Sequence, residues 1–492
     1  MTWSRREVLG SLGVASAQAL LWACGAPPRP IRRPLEVSGE VRSWLHDAVA
    51  KLRTEFPFAH ALAVSRRRTT AAIDVLGAGV ARGRCDGVVL TVRTPDGARR
   101  EQVTSDLSRG GIEAATAALL VRSVKAASID FGKPQIAPLP FAKDRDPHDV
   151  EDITLLDKVA AMAKRDKELS SQIVYAASLI DIDDATVWSV APGRDLEQRL
   201  VRIRRAVTRV AWNGTRPVVS EASRGWIGGI DAQDLTDAEI ASATRSALVL
   251  MTPSAFEDGE RTMLLDPDVS ASIVDAAARA LLTSTSIRRP EVARRLAAGA
   301  GIAAAVLTIV DDPTVAGGYG SCYFDDEGEP ATKLTLVDGG RVVGRLADSG
   351  AVDRKVATVA GRGRRPGHVG PVEAAPSNLR LLAGSVAADD LLDEGFVLQG
   401  ALGAVVDPAS DRVVVAVARA RERRGGKDTG RVFADIELVG DLAQLLASVT
   451  AVSSSTQTIS IRDEIDGQPR WRSIEAPALR LKGTLRARRG PL

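Results

Sequence analysis

Carboxylates supply the densest chemistry in the chain. Asp311-Asp312-Pro313 is followed by Asp325-Asp326-Glu327-Gly328, and such groups can bind a hard cation or accept charge-assisted hydrogen bonds from backbone N–H. A calcium loop needs oxygen ligands at alternating positions through about twelve residues, an arrangement this stretch lacks. Three readings remain: a turn organised by carboxylates, contacts to a bound peptide or partner through Asp325, Asp326 and Glu327, or a cation site. Between the clusters runs Gly317-Gly318-Tyr319-Gly320-Ser321-Cys322. It lacks the Gly-Lys-Ser/Thr ending of a phosphate loop, and Cys322 has no histidine near it in sequence to activate a thiolate. It reads as a glycine-rich turn entering a strand.

Other familiar chemistry is missing from its usual places. The four histidines stand at 46, 60, 148 and 368, none within five residues of another, so there is no His-Glu-x-x-His or His-Glu-x-x-x-His helix to hold zinc. His60 closes the apolar run Phe56-Pro57-Phe58-Ala59 and reads as a packing or surface residue, while His368 reads as a loop residue. No serine sits in a Gly-x-Ser-x-Gly elbow, and the three cysteines, Cys24, Cys85 and Cys322, form no Cys-x-x-Cys pair.

The elements that must position these groups differ between the two halves of the chain. From Pro34 to Ile240 helical and strand patterns mix. Ser38 to Arg53 reads as a helix, Val88 to Arg93 as a strand with a turn at Thr94 to Gly97, and Ser108 opens a helix from Ile112 to Lys125. Trp188-Ser189-Val190 lies in another strand, followed by the charged stretch Asp195 to Arg209. Lys143 to His148 and Lys164 to Glu168 read as solvated, charge-rich surface. From Ala241 onward, Val269 to Thr283 and Glu291 to Gly299 read as helices. Strands are then expected at Ala303 to Val310, Lys333 to Val337, Arg341 to Leu346, Phe396 to Val406, Arg412 to Val417 and Val432 to Leu438. The basic tract Ala420 to Lys427 reads as a hairpin tip. The fold class is therefore α+β: a mixed α/β N-terminal domain over 34–240, then a β-rich, largely antiparallel C-terminal domain over 241–492.

Composition agrees with a folded body. Of 492 residues, 45% are hydrophobic and 26% charged, which excludes a mainly disordered chain. Lys and Arg number 65 against 62 Asp and Glu, so the net charge of +3 gives no electrostatic case for nucleic acid.

The N-terminus reads as an address. Arg5-Arg6 precedes an uncharged run from Ser11 to Ala23, too short and mild for a membrane span. Residues 1–24 are thus expected to be a twin-arginine export signal. Leu21-Trp22-Ala23-Cys24-Gly25 resembles a lipoprotein processing box in which Cys24 would carry the lipid. Residues 25–33, rich in proline, would tether it to the folded body. The expected location is periplasmic or membrane-anchored, with membrane contact only through that lipid.

Several segments together resemble the TldD/PmbA (TldD/TldE) family. They are Thr308 to Pro313, Gly320 to Pro330, Leu336 to Gly340, Pro376-Ser377-Asn378-Leu379 with Ala383-Gly384, and Gly430 to Leu446. The resemblance covers the C-terminal domain strongly and runs more loosely through Val88 to Leu119 and Asp195 to Gly229. It implies a two-domain, metallopeptidase-related protein in a tubular homo- or hetero-oligomer that trims peptides. In complete members, zinc is held by a His-Glu-x-x-x-His helix and a late cysteine. Here the matching helix reads Ile273 to Leu281, with Asp275 where the first histidine would stand, Ala276 in place of the glutamate and Ala280 in place of the second histidine. The late region Ala451 to Thr456 has no cysteine. A lone Asp275 can neither close a zinc site nor supply the general base together with its metal.

The expectation is an exported, non-catalytic subunit with no catalytic or metal residues of its own, zinc residing only in a metal-bearing TldD-like partner, and a peptide as ligand. The alternatives are a stand-alone envelope binding protein, or a hydrolase with chemistry relocated to residues such as Asp275, Asp325, Glu327 and Cys322.

Overall fold

The structure is a computed structural model that describes residues 39–120, 130–137, 146–214, 217–251, 253–286, 289, 292–293, 296, 299–353, 360–365, 370–465 and 468–488. The expected export segment 1–24 with Cys24, the tether 25–33 and His368 lie outside the described residues, as does most of the helix expected from Glu291 to Gly299. The described chain divides into two compact units, one from 39–224 and 228–251, the other from 225–227 and 253–488.

The first unit is α/β in texture. Helix α1 (Gly39–Leu52) buries Val41, Leu45, Ala48, Val49 and Leu52, the three- and four-residue spacing of one helix face. Strands β1 (Phe58–Asp74), β2 (Gly77–Arg93) and β3 (Arg99–Thr104) lead to α2 (Arg109–Leu119), where the Ser108 hydroxyl accepts from Gly111 N–H as an N-cap. The helix runs to Leu119 and Leu120 turns extended; the rest of the span expected to reach Lys125 lies outside the described residues. Then come β4 (Gln135–Ile136), α3 (Asp152–Lys164), β5 (Ile173–Ala191), β6 (Arg194–Trp212), β7 (Pro217–Ile227) and α4 (Asp237–Val249). Thr236 and Glu239 form a capping box at the start of α4. The sheet order is β3-β2-β1-β5-β6-β4, with β7 beside β6.

Strand β6 is the charged stretch Asp195 to Arg209, and its charges are matched across the sheet. Asp183 of β5 lies opposite Arg68 of β1 and Arg202 of β6, and Asp184 lies opposite Arg67. The solvated surface expected at Lys164 to Glu168 needs correction at Asp166. Its buried carboxylate accepts from Arg209 Nε at 2.8 Å and from the Thr244 hydroxyl at 2.6 Å. A local charge run carries no signal that its partners come from a distant strand and helix.

The second unit is β-rich. It runs β8 (Gly259–Leu265), α5 (Pro267–Leu281), β9 (Ile309–Asp311), β10 (Leu334–Asp338), β11 (Arg341–Val342), α6 (Ser349–Asp353), β12 (Gly363–Arg364), β13 (Glu373–Ala374) and β14 (Asn378–Leu381). After these come β15 (Gly395–Val406), β16 (Arg412–Arg424), β17 (Lys427–Asp441), α7 (Leu442–Ala447), β18 (Ala451–Ile465) and β19 (Gln468–Ala487). Strand β19 pairs with both β17 and β8, and β8 pairs with β15, so β8-β15-β16-β17-β19 closes on itself. Most pairings are antiparallel, with parallel exceptions at β8–β15 and β14–β19. Helix α5 packs Ile273, Val274, Ala277 and Leu281 into the core these strands share. Asp266 caps it by accepting from Val269 N–H, and Pro267 occupies its first turn.

Two expected strands shrink. Of Ala303 to Val310 only Ile309 and Val310 are strand, within β9; Ala304 N–H instead bonds Leu446 C=O, and Leu307 N–H closes a turn on Ala304 C=O. Arg341 to Leu346 shortens to Arg341–Val342, since Val343 and Gly344 both donate to Leu336 C=O. Apolar runs this short do not distinguish a strand from a buried turn. The basic tract from Ala420 is the hairpin of β16 and β17, turning at Gly425 and Gly426 with φ of 54° and 72°.

Candidate functional site

The substituted positions lie on α5, held inside the second unit. Asp275 is 3% exposed. Its carboxylate receives Arg472 of β19 in a bidentate pair, Nε to Oδ1 at 2.7 Å and Nη2 to Oδ2 at 2.9 Å. Arg279, one turn along, adds Nε to Oδ2 at 2.9 Å. Arg472 also pairs through Nη1 with Asp463 of β18. Burial works against the Arg472 charge, but Asp275 and Asp463 more than offset this and raise its pKa above the usual guanidinium value. Ala276 is buried in the apolar core and Ala280 packs against that core. Neither side chain has a donor or acceptor atom.

In the late region, Ser453 is fully buried. Its hydroxyl donates to Ser455 C=O and accepts from Ala478 N–H, both at 2.9 Å, which fixes the start of β18 against β19. Among the described residues no group of three or more His, Cys, Asp and Glu side chains is arranged to hold a metal ion. The donor set around Asp275 is two guanidinium groups and one further carboxylate, and a cation has no place between groups of that charge.

The motif segments converge on one loop cluster. Asp311, fully buried, accepts from Arg362 Nε at 2.5 Å and from Ser377 N–H at 2.8 Å. Asn378 accepts from Gly320 N–H and from the Ser473 hydroxyl, and its amide donates to Asp312 C=O and the Ser321 hydroxyl. Gly320 is required by space: a Cβ there would stand 2.2 Å from Ser377 O and 3.0 Å from Arg472 Cα. The glycine-rich turn therefore abuts the backbone of the residue that grips Asp275.

Asp325, fully buried, accepts from the N–H groups of Glu327, Glu329 and Gly363 at 2.8–2.9 Å. Burial is the main cause pushing its carboxyl up to about 7; the Glu327 charge adds to this, while Arg364 and the backbone donors pull it down. Asp326 accepts from Arg365 N–H at 2.6 Å. Glu327 accepts from Ser349 through its N–H at 2.7 Å and its hydroxyl at 2.8 Å. These acidic groups thus order loops around α6 and β12. Cys322 lies 2.9 Å from Arg364 Nη2, a neighbour forty-two positions on that sequence spacing could not reveal. His60 is buried, with Nε2 at 2.9 Å from the Ser189 hydroxyl.

Sequence reasoning located Asp275 but missed Arg472 and Arg279. Arg279 stood at helical i,i+4 spacing and was legible; Arg472 is 197 positions away, and only strand pairing brings it near.

A closed strand set holding a helix, with a carboxylate loop cluster beside it, defines the class to which the comparisons point. Residues 258–486 match the family described as PmbA/TldA metallopeptidase C-terminal domain. A metalloprotease of Methanocaldococcus jannaschii is 23% identical over 317 residues, 61% of this chain and 68% of that protein. Among solved structures, a Bacteroides thetaiotaomicron protein described as a candidate modulator of DNA gyrase superposes with a TM-score of 0.71 at 17% identity, covering 92% of this chain and 99% of that one. TldE from Thermococcus kodakarensis superposes with a TM-score of 0.69 at 16% identity, covering 90% of this chain and 99% of that one. At these identities the structural likeness is one of fold. The stretch 258–486 is thus similar to that family's C-terminal domain, and most of the chain shares the fold of these solved structures.

Proposed function

We propose that this chain is a catalytically silent, exported subunit that pairs with a metal-bearing relative and helps form the chamber that admits a peptide. The observation that carries this reading is the Asp275–Arg472 pair. The position that would offer a metal its first ligand is neutralised by a fixed guanidinium, and the glutamate and second histidine positions are alanines. Reaction at a zinc-bound water would have neither metal nor base here.

The silent role does not remove a peptide-binding role. Strand β18 pairs with β19 on one side, and on the other Ser454 N–H bonds Val386 C=O. Beyond that, Ser454 to Thr458 are exposed. Such an edge takes up extended main chain with little sequence preference. Export is part of the same proposal and rests on Arg5-Arg6 and the Cys24 segment; lipidation at Cys24 would anchor the subunit at the membrane.

Co-expression with a histidine-complete relative tests the pairing, with native mass spectrometry as the readout. A mixed oligomer is expected. Only separate homo-oligomers at equal expression would overturn it.

A further inference from the structure

The charge ladder of the first unit has one rung unlike the others. Asp181 accepts from Arg68 Nε at 3.0 Å and the Thr70 hydroxyl at 2.7 Å, and Asp184 from Arg67 at 3.0 Å and Arg199 at 2.9 and 3.1 Å. Asp183 lies between them on β5, 4% exposed, and both of its carboxylate oxygens are buried without a hydrogen bond. Arg66 Nε approaches Oδ1 only to 3.5 Å. Register places Arg68 of β1 and Arg202 of β6 opposite it, with Asp181 and Arg204 two positions along and Cys85 of β2 opposite Arg66. Glu221 of β7 pairs with Arg204. An ionised carboxylate without donors is costly to bury, whereas the neutral acid is much less so. Burial therefore raises the Asp183 pKa and Asp181 adds to this, against the opposing pull of Arg66, Arg202 and Arg68.

We propose that closing the N-terminal sheet binds a proton at Asp183 and that opening the sheet releases it. The folded form then holds a proton that the unfolded chain gives up near its ordinary value of 3.8. The stabilisation is fully present below that value and is lost as pH rises through the folded-state value. The first unit is thus tightest in acid and loosens toward neutrality.

Hydrogen exchange of β5–β6 peptides in a urea series, run on the full chain from pH 4 to 8 and corrected for intrinsic exchange, tests this. The wild type should lose about tenfold or more in its closing equilibrium across that range. Asp183→Asn should match it at pH 4 and change by less than about twofold over the range. Asp183→Leu, neutral and of similar bulk, gives the same readout should the asparagine variant not fold. Parallel profiles for wild type and either variant, or an equal loss at every pH, would overturn the proposal.

Discussion

Arg472 of β19 holds Asp275 of α5 in a bidentate ion pair, Nε to Oδ1 at 2.7 Å and Nη2 to Oδ2 at 2.9 Å. The contact spans 197 positions of sequence and ties the central helix to the strand that closes the second unit. It also sets a permanent positive charge against the carboxylate that replaces a metal-ligating histidine in the family resemblance.

Arg472→Met leaves Asp275 charged and buried. Removing one partner of such a pair costs about 3–5 kcal/mol, and Arg279 should hold the loss near the lower end. The double variant Asp275→Asn with Arg472→Met should recover most of it. Urea unfolding at neutral pH measures both, and a single variant as stable as wild type would show that the pair does not hold the helix.

Gly320→Ala forces a Cβ against Ser377 O and the Arg472 backbone. A backbone clash of this kind cannot be relieved by a rotamer change, so a loss of about 1–3 kcal/mol is expected. Thermal unfolding reads it directly, and an unchanged melting temperature would contradict the close approach of the glycine turn to β19.

Asp266 gives a pH prediction for the second unit. Burial, helped by the Asp268 charge, pushes its carboxyl up to about 7, although Val269 and Gly400 N–H and Arg419 oppose this. A raised acid stabilises the fold fully below its unfolded value and loses that contribution as pH rises through about 7. The urea midpoint of the second unit should therefore fall between pH 5 and 8 through this group. Asp266→Asn keeps an N-cap side chain and should reduce the slope without abolishing it, because Asp325 titrates in the same range. A slope equal to wild type would contradict the assignment.

Asp166→Ala strips Arg209 of its buried carboxylate and Thr244 of its acceptor. The expected cost is about 3–5 kcal/mol, confined to the first unit. Exchange protection of β6 and α4 should drop while that of β15–β17 holds.

What was legible in the sequence was what local pattern encodes. The apolar spacing of α1, the Ser108 cap, and the alternating strands β15 to β17 all stand where periodicity places them. Gly320, Asp325 and Asn378 could be recognised by resemblance, but their reason could not, because it lies in contacts between loops more than thirty positions apart. The Arg472 grip on Asp275 and the Asp166–Arg209 pair were likewise invisible. An arginine in a strand looks the same in sequence whether it faces water or closes a site.

The central claim is tested most directly by measuring zinc content and peptide cleavage of the purified chain, alone and in complex with a histidine-complete relative. The account predicts no stoichiometric zinc and no cleavage by this chain alone, with both appearing in the mixed complex. Stoichiometric zinc together with cleavage by this chain alone would contradict it.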